Sequence, residues 1–124
     1  MANVKIEMYC EEDGDVPFVD WFLSLPRKAQ DRCRVRLERL EELGHGLRRP
    51  EADYLRDAVY EFRFKFQRVN YRVLYFFHGH SVVVLSHGLQ KEKSVSPKEI
   101  ELAIERRERY GSSPDKHKST KEIP

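Results

Sequence analysis

Residues 59–66 read VYEFRFKF, and the alternation in that stretch decides the fold. A period of two puts Tyr60, Phe62, Phe64 and Phe66 on one face of a strand and Glu61, Arg63 and Lys65 on the other. The rings need a covering layer, while the long cations need water or an anion. The next apolar run, NYRVLYFF at residues 70–77, again mounts an arginine, Arg72, among large apolar side chains. Such a neighbourhood buries the stem of Arg72 and fixes its head, aimed either at Glu61 within the fold or at a phosphate outside it.

Working outward, the HGHS turn and the more fully buried run VVVLSHG complete three strands in series, an antiparallel meander. On the N-terminal side, Val4–Tyr9 alternates apolar and charged residues as a first strand. Pro17 opens a short helix with Phe18, Trp21, Phe22 and Leu25 at helical spacing, and Pro26 interrupts it. A second helix spans about Arg27 to Leu43 with the stripe Ala29, Cys33, Leu37 and Leu40. Its arginines Arg34, Arg36 and Arg39, interleaved with Glu38, Glu41 and Glu42, read as a solvated surface. Gly44 and Gly46 end that helix, and RRPEAD reads as loop. Ser96, Pro97 and Glu99 match a capping box that starts a last helix carrying Ile100, Ala103 and Ile104 and fading near Tyr110.

The expected architecture is therefore α+β, in the order β-α-α-β-β-β-α, with a twisted, mainly antiparallel sheet. The two N-terminal helices cover one face through Trp21, Phe22, Leu37 and Leu40, a C-terminal helix follows, and the opposite face carries the cations. Residues 1–110 form the domain. The segment 111–124 has almost nothing to bury and is expected to be disordered.

The 124 residues suffice for one domain with a real core. With 40% hydrophobic and 35% charged residues and a formal net charge of +2, bulk charge does not announce a nucleic-acid binder, so any such reading rests on where the charges lie. The polar N-terminus has no secretory apolar segment and no long apolar run follows, so a cytoplasmic protein with no membrane partner is expected. Cys10 and Cys33 make neither a disulfide framework nor a zinc knuckle, and Cys33 reads as a buried reduced thiol. His78 and His80 flank a glycine at a hairpin tip without further ligands in range, so no metal and no small-molecule cofactor are expected.

The constellation that carries chemistry is basic. Arg63 and Lys65 share a face, Arg72 lies on the neighbouring strand, Arg68 sits in the turn, and Lys91 and Lys93 follow the last strand. Together they can form a phosphate-binding concavity. The competing view is a set of solubilising surface cations, against which the embedded position of Arg72 argues.

These motifs, VYEFR, NYRVLYFF and HGLQKEKSVSP in this order and spacing, resemble the RelE/ParE toxin superfamily, most closely its HigB-type, phage-related branch. The resemblance covers about residues 4 to 110. It implies a compact fold of helices on a twisted sheet and a ribosome-dependent messenger-RNA endonuclease, paired with a HigA-like helix-turn-helix antitoxin. It further implies metal-free cleavage, in which the 2′-hydroxyl attacks the adjacent phosphate. On this reading Arg63, Arg72, Lys91 and Lys93 are catalytic, with Arg72 on the transition-state phosphate and Lys91 or Lys93 at the leaving oxygen; Lys65, Arg68 and Arg56 contact RNA. The lysine and late tyrosine of RelE itself are replaced here by Glu61 and, near its place, Pro97, which leaves His87 as a substitute base or as a structural histidine. Within the same superfamily, a ParE-like gyrase inhibitor without nuclease activity and a non-toxic phage-derived binding module are the alternatives.

Overall fold

The computed structural model describes residues 3–90 and 93–124. Its elements are β1 (Lys5–Met8), α1 (Pro17–Leu23), α2 (Arg27–Leu43), a 3₁₀ turn (Gly44–Gly46), β2 (Ala52–Arg56), β3 (Val59–Phe66), β4 (Val69–His78), β5 (Val82–Gln90), α3 (Pro97–Ser112) and α4 (Pro114–His117). The strands form one sheet in the order β1-β5-β4-β3-β2, antiparallel except for the parallel β1–β5 pair.

The meander is as the alternation predicts. Tyr60, Phe62 and Phe64 of β3 and Tyr71, Val73 and Tyr75 of β4 face α1 and α2, where Phe18, Phe22, Ala29, Cys33, Leu37 and Leu40 close the main core. Cys33 has no access to solvent, and burial pushes its thiol up to about 12, so it is an inert core residue. Trp21 lies flat against β5 because residue 88 is glycine; a Cβ there would sit 2.3 Å from the indole ring. Gln67 and Arg68 form the two-residue β3–β4 turn with φ of 47° and 70°, and Asp57 and Ala58 the β2–β3 turn with φ of 49° and 65°. These positive values match the hairpin turns whose twist suits paired strands.

Four expectations are corrected. The segment read as loop contributes the additional edge strand β2, with Ala52 opposite Phe62 and Asp53 opposite Glu61. A five-residue edge strand of mixed character, preceded by Arg-Arg-Pro-Glu, gives little periodic signal. Second, the face opposite α1 and α2 is not simply wet: α3 covers much of it, packing Ile100 and Ala103 onto Val59, Leu74 and Leu89, and Tyr110 onto Phe76 and Val84. Third, Ser96 and Pro97 do begin α3, but Ser96 makes no side-chain cap bond, and the Glu99 carboxylate accepts from His87 instead of reaching back. Fourth, the chain beyond Gly111 is ordered. α4 follows α3, Lys118 bridges antiparallel to Tyr9, the buried His117 stacks on Tyr9 at 5.0 Å, and Ile123 packs on the main core. The mostly polar residues 111–124 give no periodic pattern, yet the free edge of β1 supplies backbone partners, as the Ser119 amide donating to the Met8 carbonyl at 3.1 Å illustrates. Among the described residues, no helix is long and apolar enough to cross a membrane.

The close seat of Trp21 on Gly88 sets a prediction. Gly88→Ala forces the indole off the sheet and should destabilise the fold by about 1–3 kcal/mol, the usual cost of overpacking. The check is the urea midpoint at constant slope; an unchanged midpoint would contradict the seating described.

Candidate functional site

On the α3 side of the sheet, Arg63 and Arg72 are direct cross-strand partners. Like charges in that relation repel. The conflict is resolved by Glu61, two residues before Arg63 and with 0% exposure. Arg63 Nε donates to Glu61 Oε2 at 2.6 Å, and Arg72 Nη1 donates to Oε1 at 2.9 Å and Oε2 at 2.6 Å. Arg63 Nη2 also donates to Asp53 Oδ2 at 3.0 Å, an oxygen that accepts Arg49 Nε at 2.9 Å. Arg72 Nη2 donates to the Lys93 carbonyl, which ties the segment before α3 to the site. Arg72 Nε is buried without a partner among the described residues.

The end of β3 explains why the site opens there. β2 pairs only as far as Ala52 opposite Phe62, so the outer edge of β3 beyond that point lacks a strand. Helix α2 satisfies it with arginines: Arg36 Nε donates to the Arg63 carbonyl and Arg32 Nη1 to the Lys65 carbonyl, both at 2.8 Å, while the Arg63 amide donates to the Glu51 carbonyl at 2.8 Å. The Glu51 carboxylate is gripped by Arg39 at 2.7 and 3.0 Å and by Arg36 at 2.6 Å. The Arg39 hydrogen bonds, seconded by Arg36, hold its carboxyl down at about 2. The result is a cleft of about 220 Å³ lined by Arg36, Glu51, Arg63, Lys65, Asn70 and Arg72 with Phe64 and Tyr71. A second hollow of about 350 Å³ adjoins it, sharing Arg36, Phe64 and Lys65 and adding Arg32 and Val35.

The residues singled out from sequence divide accordingly. Arg63, Arg72 and Lys65 line one cleft, and Arg68 is exposed in the turn that closes β3 onto β4. Lys93 is exposed, with its carbonyl on Arg72. Lys91 lies outside the described residues. Arg56 is not brought to the cleft: it pairs with Asp57 at 2.8 Å opposite Val59, six residues, or about 20 Å of strand, from Lys65. His87 is buried beneath α3, its Nδ1 2.8 Å from Ser86 Oγ and its Nε2 2.9 Å from Glu99 Oε1. A β-bulge between Leu85 and His87, paired with Tyr75 and Leu74, turns it there. Burial holds His87 below the usual histidine range, against the pull of Glu99. Among the described residues, no group of three or more potential ligands is placed to hold a metal ion.

Glu51, Asp53, Arg32 and Arg36 were missed as site residues. The spacing of Arg32, Arg36 and Arg39 along one face of α2 was the available signal, outweighed by the glutamates interleaved with it.

A family model described as phage-derived protein Gp49-like (DUF891) matches residues 20–108, which runs from the middle of α1 through most of α3 and includes the whole cleft. Among curated proteins none matches the chain.

Two predictions follow from the geometry. Glu61→Gln leaves two guanidiniums facing a neutral amide and should cost about 3 kcal/mol, as breaking a buried pair does, measured by urea denaturation; a loss below about 0.5 kcal/mol would mean the carboxylate is not holding them. His87 is neutral when folded and carries a depressed pKa, so its unfolded form binds more protons. Its stabilising effect is complete above the unfolded value of about 6.5 and is lost as pH falls below it. The urea midpoint should decline between about pH 7 and pH 5, above the range where free carboxylates titrate, and His87→Gln should flatten that decline.

Proposed function

Because the chain belongs to the phage-derived Gp49-like family, which falls in the RelE-like group of toxin–antitoxin systems, we propose that it is a HigB-like toxin of a type II pair. In this reading it cuts messenger RNA on the ribosome in the cytoplasm, without a metal, and a helix-turn-helix antitoxin of the HigA kind neutralises it. The observation that carries the reading is the cross-strand pair Arg63–Arg72, oriented from behind by Glu61 and flanked by the exposed Lys65.

The step it performs forms a bond from the 2′-oxygen to the adjacent phosphorus and breaks the bond from phosphorus to the 5′-oxygen. A cyclic phosphate and a free 5′-hydroxyl result. Arg63 and Arg72 meet the charge that grows on the non-bridging oxygens, and their donors are fixed beforehand, which is where such sites gain most of their rate. Lys93, whose backbone carbonyl accepts from Arg72, or Lys91 gives a proton to the 5′-oxygen. His87 enters as a positioning residue, since both its ring nitrogens are engaged and its bond to Glu99 anchors the first turn of α3 to β5. The 2′-hydroxyl proton then leaves to water, and charge stabilisation rather than base catalysis does most of the work. Lys65 and Arg68 contact the flanking phosphates.

A second reading, a gyrase inhibitor of the ParE kind, draws on the internal compensation of Arg63 and Arg72 by Glu61 and Asp53, which a protein-binding surface tolerates. The two readings separate on induction of the protein in cells followed by mapping of messenger ends. The nuclease reading expects internal cuts bearing 5′-hydroxyls, lowered about 10²-fold or more by Arg72→Ala. Lys65→Ala, at an exposed side chain outside the Glu61 network, should lower cutting with the melting temperature unchanged. Growth arrest with intact messengers and broken DNA would overturn the nuclease reading in favour of the second.

A further inference from the structure

A second cleft, of about 400 Å³, lies between the 3₁₀ turn and β2, built from His45, Arg48, Arg49, Asp53, Tyr54 and Tyr60. That volume is in the range of small-ligand sites, and nothing in the chemistry above uses it. Tyr54 is 53% exposed, an unusual position for a large ring. It is nonetheless held: its hydroxyl accepts the Ala58 amide at 3.1 Å, and its ring meets Tyr60 edge-on at 5.1 Å. His45 stacks one face on Phe77 at 3.5 Å and 14°, while the residue as a whole is exposed. The cleft thus offers rigid rings whose orientation is already fixed.

Its cations are placed beside those rings. Arg48 is exposed and makes no ion pair among the described residues. Asp53 is already spent: Oδ1 accepts the Tyr54 amide at 2.9 Å, and Oδ2 accepts both Arg49 at 2.9 Å and Arg63 at 3.0 Å. One carboxylate oxygen therefore joins an arginine of this cleft to an arginine of the Arg63–Arg72 pair. Rings beside guanidiniums, with no unengaged acid between them, are the arrangement that single-stranded nucleic acid uses, bases on the rings and phosphates on the cations.

We propose that this cleft, which lies across the β2 edge from Arg63 and Arg72, is a nucleobase subsite for single-stranded RNA that passes over that edge from a scissile phosphate at Arg63 and Arg72, with Arg49 and Arg48 on the neighbouring phosphate and Tyr54 stacking the base. The assignment rests on the nuclease reading and deepens it: the base seated on Tyr54 sets which messenger positions are cut.

The test is cleavage of ribosome-bound messages by the full chain, read as rate and as base frequency around the cuts. Tyr54→Ala should lower the rate about tenfold, one base's worth of stacking, and flatten the base preference at one position. Tyr54→Phe should keep both, and Arg48→Ala should lower the rate without changing the preference. Wild-type cutting with rate and preference intact in Tyr54→Ala overturns the subsite alone and leaves the nuclease reading standing. Loss of antitoxin neutralisation in Tyr54→Ala with unchanged cutting likewise overturns it, assigning the cleft to a protein partner. No cutting by the wild type overturns both.

Discussion

A carboxylate with no access to water sits between two guanidiniums, and the geometry of the β3–β4 face follows from it. Removing Glu61 from water is costly and is tolerated only because charged donors take up its lone pairs. The same contacts let Arg63 and Arg72 stand directly opposite each other on adjacent strands. The arrangement also pins the register. A slip of one residue in β3 would turn Glu61 and Arg63 into the aromatic core and Phe62 toward Arg72, so hydrophobic and ionic demands select one pairing together.

The layers on either side confine the cations to one corner. α1 and α2 close the ring-bearing face, and α3 closes the rows around Leu74 and Leu89 on the other. Past the end of β2, however, β3 is met by the arginines of α2 rather than by another strand or an apolar side chain. An exposed strand edge is normally a liability for pairing with another chain. Here guanidinium donors occupy its carbonyls, which blunts the edge and concentrates positive charge at the same corner.

The sequence made the meander and the first two helices legible because each has a clean period: two in VYEFRFKF, and three to four along Ala29, Cys33, Leu37 and Leu40. β2 was not legible, since as a half-buried edge strand it depends on the presence of β3 more than on its own residues. The same holds for the C-terminal segment, whose order comes from the β1 edge and the Tyr9 ring. Within the site, Arg63 and Arg72 could be placed from alternation alone. The burial of His87 could not, because the bulge at Ser86 breaks the alternation by which its direction would be read. The role of Arg32 and Arg36 was hidden for a related reason: an arginine that caps a distant strand looks, in sequence, like one that faces water.

The apparent neutralisation of the site resolves once depth is considered. Five arginines, Arg36, Arg39, Arg49, Arg63 and Arg72, engage three carboxylates, Glu51, Asp53 and Glu61. The partners do not lie at equal depth in the Glu61 group: its side chain is 0% exposed, while those of Arg72 and Arg63 are 15% and 34% exposed. Negative charge lies behind and positive charge in front, so the pair presents a positive outer layer even though much of its charge is balanced within. Fields from oriented groups of this kind are local and survive a net charge as small as +2. An anion arriving at the cleft does not have to displace Glu61; it meets guanidiniums whose orientation has already been set from beneath. Under the proposed nuclease reading, donors fixed in this way would stabilise a developing phosphorane without reorganising, and the buried acid would then have a purpose that stability alone, by the measure of buried ion pairs elsewhere, does not give it.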